Sequence, residues 1–130
     1  MSTPLKSLLQ ALTGPLSRPT WRVLLALLLL VITWLALVPE PPRGVSTGWD
    51  KSNHALAFAS LAFAAVWALW REPRQWPRLV AWLLAYGVGI EIAQYFDPPR
   101  SADWHDVVAD GVGIALGLLA CLPVRRLAAH

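Results

Sequence analysis

Apolar and polar positions along this 130-residue chain fall into long blocks rather than into the short alternation that marks strands. Residues 21–38 (WRVLLALLLLVITWLALV) are almost wholly apolar. At about 1.5 Å rise per residue, that length roughly matches a hydrocarbon core about 30 Å thick. The run predicts a first membrane-spanning helix. A secretory signal is the alternative, but no small-residue cleavage pattern precedes Pro39 and further apolar runs follow. Residues 39–48 (PEPPRGVSTG) predict a loop, because proline removes a backbone donor and clashes with the preceding turn.

A second apolar run, 54–70, follows Asp50-Lys51-Ser52-Asn53 and is rich in small residues (Ala55, Ala59, Ala62, Ala65) that allow close helix contact. Arg71-Glu72-Pro73-Arg74 ends it. A third run reaches from 76 or 79 to 96 and is broken by Asp97-Pro98-Pro99; a fourth covers 107–124, closed by Pro123 and Arg125-Arg126. The pattern predicts an all-α, polytopic membrane protein: a single four-transmembrane-helix bundle over 21–124, with a tail at 1–20 and another at 125–130.

Composition supports this reading, since 56% hydrophobic against 15% charged residues is too apolar to solubilise a compact fold of this size. The net charge of +3 does not indicate nucleic acid, because the basic residues lie between apolar runs and form no single face. They orient the chain instead. Cytoplasmic termini put Lys6, Arg18, Arg22, Arg71, Arg74, Arg78, Arg125 and Arg126 inside, against Arg43, Lys51 and Arg100 outside, which is eight of the 11 basic residues on the expected side. The lone Cys121 excludes an intramolecular disulfide and reads as a buried, inert thiol.

This orientation has a chemical consequence. Asp50, Lys51 and His54 open the second span, Glu91 and Gln94 close the third, Arg100, Asp103 and Asp106 occupy the next connection, and Asp110 starts the fourth span. All meet at the outer leaflet. An ionisable group such as Glu91 in an apolar segment costs several kcal/mol unless it finds a partner, cavity or proton. Gly87, Glu91 and Gln94 fall at i, i+4 and i+7, aiming acid and amide along one strip with glycine admitting a neighbouring helix. Asp106, Asp110, Gly113 and Gly117 share a face of the fourth span, and Gly113-x-x-x-Gly117 reads foremost as a packing motif. Taken singly, His54 and Glu91 also have plain structural readings, as an interfacial cap and an inter-helix hydrogen bond.

Other chemistries lack their motifs. There is no Gly-rich phosphate loop, nucleophile elbow or Cys/His zinc spacing, so no cofactor is expected. No i, i+4 histidine pair or HExxH occurs, so no metal ligands are assigned. An ion pathway would need polar residues continuing through the inner halves of the spans (25–30, 62–68, 80–85 and 116–121), which are nearly bare.

The order Asp50-Lys51-x-x-His54-x-x-x-Phe58, Gly87-x-x-x-Glu91-x-x-Gln94, Arg100-Ser101-x-Asp103-x-x-Asp106 and Gly113-x-x-x-Gly117 resembles the VanZ-like family over residues 50–117. The resemblance implies a small protein of the bacterial cytoplasmic membrane, related to a founding member linked to teicoplanin resistance. Where the family usually carries asparagine before the Gly-x-x-x-Gly, this chain has Asp110, and an ionised carboxylate accepts hydrogen bonds but cannot donate them. Two functions fit. One is a binding protein whose Asp50, Lys51, His54, Glu91, Gln94, Arg100, Asp103, Asp106 and Asp110 form an outward pocket for an anionic headgroup, such as a lipid-linked envelope precursor, or for a lipophilic glycopeptide. The other is a membrane-embedded enzyme with Glu91 and His54 as acid and base, Arg100 clamping the substrate and Asp106 orienting the histidine.

Overall fold

The computed structural model describes residues 3–37, 51–96 and 104–129, with only the backbone described at Lys51 and Ser52. Five α-helices account for most of these residues: α1 (Pro4–Thr13), α2 (Arg18–Leu37), α3 (Lys51–Ala68), α4 (Trp76–Tyr95) and α5 (Trp104–Ala129). Among the described residues there is no strand.

The helix ends follow local chemistry. Thr3 caps α1 by accepting the Lys6 N–H at 3.1 Å, with Pro4 at the first helical position, where its missing donor is not needed. Gly14 and Pro15 end α1 and start a short 3₁₀ turn, Pro15–Ser17, that leads directly into α2. A reciprocal capping box between Glu72 and Gln75 holds the second 3₁₀ turn, Pro73–Gln75, ahead of α4.

Among the described residues, two helical stretches are long and apolar enough to cross a membrane, Pro15–Leu37 and Trp104–Ala129; Asn53–Ala68 is apolar but shorter. Only 11% of the most apolar 18-residue window of the first stretch is buried, whereas a core helix of a soluble protein is mostly buried. Its exposed face carries Val23, Leu24, Leu27, Leu30, Val31 and Trp34, and α5 exposes a similar stripe through Val108, Val112, Leu116 and Leu119. Contiguous apolar surface of this extent is unusual for a protein bathed only in water.

The four longer helices alternate in direction. Arg22, near the start of α2, reaches the Ala68 carbonyl at the end of α3, and Gln94, near the end of α4, reaches Ala36 at the end of α2. α3 and α5 run parallel and make the most extensive contact in the molecule. Their backbones meet where glycine and alanine permit it: a Cβ on Gly113 would land on the Ala55 carbonyl, and one on Gly117 on the Ala59 carbonyl, with Ala62 Cβ at 2.9 Å. The core around this seam contains Phe58, Leu61, Leu79, Val66, Ile114 and the wholly buried Cys121.

Two boundaries differ from the sequence expectation. Residues 4–13 form a helix packed on α5, with Gln10 Nε2 donating to the Ala128 carbonyl at 2.9 Å. Pro123 does not end α5, which runs on through Arg125 and Arg126 to Ala129. One proline costs a single backbone donor, and Arg125 ties the continuing turns to the Arg71 carbonyl. The expected loop at 39–48 and the break at 97–99 lie outside the described residues.

Candidate functional site

At the end of the bundle where α3 and α5 begin and α4 finishes, four titratable side chains enter the interior. His54 comes from the first turn of α3, Glu91 from the last turns of α4, and Asp106 and Asp110 from successive turns of α5. His54 and Asp110 are 1% exposed and Glu91 is 6% exposed, so these groups are lodged in the protein rather than displayed on a rim. Asp106 and Gln94 are buried as well.

The centre is organised by the histidine. His54 Nδ1 lies 2.9 Å from Asp110 Oδ1, and Nε2 lies 3.6 Å from Asp106 Oδ2. An ionised Asp110 can only accept, so with a neutral ring this contact puts the proton on Nδ1, and in either case Nε2 is turned toward Asp106. Asp110, rather than Asp106, is therefore the carboxylate at hydrogen-bond distance that sets the ring's orientation. Single ligand atoms of His54, Glu91 and Asp106 all fall within 4.8 Å of one another.

Packing explains how the carboxylates fit. The space expected at Gly87 for a neighbouring helix is taken by the Asp110 carboxylate and the Phe58 ring: a Cβ there would collide with Asp110 Oδ2 and meet Phe58 Cζ at 3.3 Å. Phe58 is wholly buried and packs obliquely on Tyr86 at 5.8 Å between centroids, giving the centre an apolar wall. Gln94 does not join the histidine directly; its Nε2 donates to the Ala36 carbonyl at 2.9 Å and anchors α4 to α2. Sequence reasoning assigned no part to Thr33, whose hydroxyl pairs with that of Tyr86 and forms a second polar tie between the same helices. A lone hydroxyl inside the otherwise apolar 21–38 run was the available signal.

Of the residues expected to converge, the structure brings together His54, Glu91, Asp106 and Asp110, with Gln94 one turn away. Asp50, Arg100 and Asp103 lie outside the described residues, as does the side chain of Lys51. Two concavities of about 440 Å³ lie away from this centre. One is an apolar groove among Trp21, Leu28, Phe63 and Gly117; the other lies at the opposite end, beside Gln10 and Arg125.

A family profile described as VanZ/LLP1 matches residues 51–126, more than half of the chain. The chain belongs to the VanZ/LLP1 family. The matched region of this VanZ/LLP1 protein contains His54, Glu91, Gln94, Asp106 and Asp110 and leaves out α1 and α2. No curated protein and no solved structure matches the chain.

Proposed function

We propose that this VanZ/LLP1 protein is a multi-pass protein of the bacterial cytoplasmic membrane, with both termini cytoplasmic, whose polar centre engages the headgroup of an anionic envelope lipid or lipid-linked precursor. Through that ligand it affects susceptibility to teicoplanin-like glycopeptides. The observation that carries the reading is the burial of His54, Glu91, Asp106 and Asp110 at one end of an otherwise apolar bundle. Groups this costly to bury near hydrocarbon are retained for a ligand or for chemistry.

The surroundings support the placement. α2 and α5 present apolar stripes suited to acyl chains, and Tyr95 and Trp104, both strongly exposed, flank the polar end as interfacial aromatics do. Arg71, Arg125 and Arg22 gather at the opposite end, in keeping with a cytoplasmic face. Arg100 and Lys51 supply the positive charge that an anionic headgroup needs.

Lipid extraction and mass spectrometry of the detergent-purified protein tests the reading. One phosphate- or carboxylate-bearing headgroup class should be enriched over the bulk membrane and lost in Glu91→Gln. A bulk composition in both proteins defeats it. For orientation, cysteine probes at Ser52 and Ser101 in a Cys121→Ala background should label from the outer side; labelling only from the cytoplasm would reverse the topology.

A second reading, acid–base catalysis on a lipid-linked substrate, draws on the 2.9 Å pairing of Asp110 with His54, which could hold a histidine base in one tautomer. Glu91→Gln and His54→Asn separate the two: an enzyme keeps much of its ligand binding and loses turnover, whereas a binding protein has no turnover to lose.

A further inference from the structure

We infer that His54, Glu91 and Asp106 are ligands for one divalent metal ion of the Zn²⁺ or Mn²⁺ class. The inference deepens the headgroup reading and rests on it only for what the ion would face. Geometry comes first. One ligand atom from each residue lies within 4.8 Å of the other two, and the three come from three different helices, α3, α4 and α5. Ligands about 2.0–2.2 Å from a tetrahedral ion stand roughly 3.3–3.6 Å apart. His54 Nε2 and Asp106 Oδ2 already have that separation, at 3.6 Å, which is too long for a good direct hydrogen bond. Closing the remainder of the triangle takes a shift of about 1 Å, within the reach of the Glu91 side chain.

The chemistry of the donor set points the same way. With Asp110 ionised and the ring neutral, Nδ1 donates to Asp110 across the 2.9 Å contact and the Nε2 lone pair is left toward Asp106. A carboxylate on the far ring nitrogen is the usual support of a metal-bound histidine, fixing its tautomer and raising its basicity. Nε2 and the carboxylate oxygens of Asp106 and Glu91 are then all electron-pair donors, gathered in a site of low polarity. One imidazole with two carboxylates suits Zn²⁺ or Mn²⁺ better than Mg²⁺, which prefers an all-oxygen octahedron. Three protein ligands leave a coordination position for water or for a phosphate or carboxylate oxygen of the headgroup. The ion would offset two of the three carboxylate charges and offer a cationic contact to an anion's oxygen.

The test uses full-length protein in detergent, stripped with EDTA and equilibrated with Zn²⁺, Mn²⁺ or Mg²⁺ with no lipid added. Metal content and calorimetry should give one Zn²⁺ or Mn²⁺ per chain, with Mg²⁺ much weaker. Glu91→Gln and Asp106→Asn should each weaken binding at least tenfold, and Asp110→Asn, which keeps all three ligands, about 10–100-fold. Helical circular dichroism confirms that the variants remain folded. Absence of stoichiometric metal in the wild type, or affinity indifferent to both Glu91→Gln and Asp106→Asn, overturns the inference. Metal bound by a protein that enriches no lipid upholds the metal site and rejects the headgroup reading; an enriched headgroup with no metal site does the reverse.

Discussion

The two ends of the bundle solve opposite electrostatic problems. At one end, positive side chains meet neutral backbone: Arg71 donates from Nε to the Trp67 carbonyl at 2.9 Å, from Nη1 to the Thr13 carbonyl and from Nη2 to Ser17 Oγ at 3.3 Å. Arg125 reaches the Arg71 carbonyl and Arg22 the Ala68 carbonyl. Burial, and after it the nearby Arg18 charge, lower the Arg71 pKa from its ordinary value, a cost that the acceptors offset. These carbonyls belong largely to helix ends, where intrahelical partners run out, so guanidinium groups there act as caps. At the other end, His54, Glu91, Asp106 and Asp110 are gathered, and three of the four are acids. The arginine end is satisfied by backbone carbonyls, whereas the histidine end gathers three buried carboxylates around one imidazole. On the proposed reading, stability and function fall to opposite ends of one set of helices.

The largest expected effect breaks the histidine end. His54→Ala removes the partner of a buried carboxylate, and breaking such a pair costs about 3–5 kcal/mol. The variant should unfold at much lower temperature or denaturant, and metal and headgroup binding should vanish with it. Unchanged stability would mean that Asp110 is held by something other than His54. Arg71→Ala is the counterpart at the other end. It removes several charge-assisted hydrogen bonds at a total cost of about 3 kcal/mol, and hydrogen exchange in residues 4–13 should rise as α1 loosens. Metal and lipid binding should stay at wild-type levels in the folded fraction. Parallel loss of both would show that the ends are coupled.

The apolar blocks foretold the helical class and four of the five helices to within a few residues, because burial and lipid both read the same hydrophobic period. Gly113 and Gly117 were legible as packing positions for a similar reason: spacing of four on a helix means one face. The helix at 4–13 was harder to see. It is short, three prolines punctuate 1–20, and its order depends on acceptors and donors from the α3–α4 connection and from α5, such as the Arg71 guanidinium, that no local pattern reveals. His54, Glu91, Asp106 and Asp110 were legible as a group, since alternating helices place their ends at one depth. Which carboxylate faces which nitrogen was not: the rotation of α5 against α3 is fixed by the glycine seam, and it sets Asp110 rather than Asp106 on Nδ1. The near-triangle of His54, Glu91 and Asp106 joins three helices and has no signature along the chain.

Gly87→Ala sharpens the comparison from within the histidine end. The added methyl collides with Asp110 Oδ2 and crowds Phe58, and overpacking of this kind costs about 1–3 kcal/mol. Because the displaced group is the support of His54 and not a proposed ligand, metal affinity should fall while the one-to-one stoichiometry survives. Loss of stoichiometry would make Asp110 itself a ligand.

The smallest effect belongs to Gln10→Ala. Gln10 Nε2 ties α1 to the Ala128 carbonyl in the last turn of α5, but the bond is exposed, so water replaces the lost donor. About 0.5 kcal/mol is expected, at the lower end for a neutral hydrogen bond. Thermal unfolding should shift barely, and exchange in residues 4–13 should rise far less than in Arg71→Ala. If Gln10→Ala instead releases α1 as fully as Arg71→Ala does, the guanidinium is not the principal clamp, and the view of this end as one held by arginine caps fails.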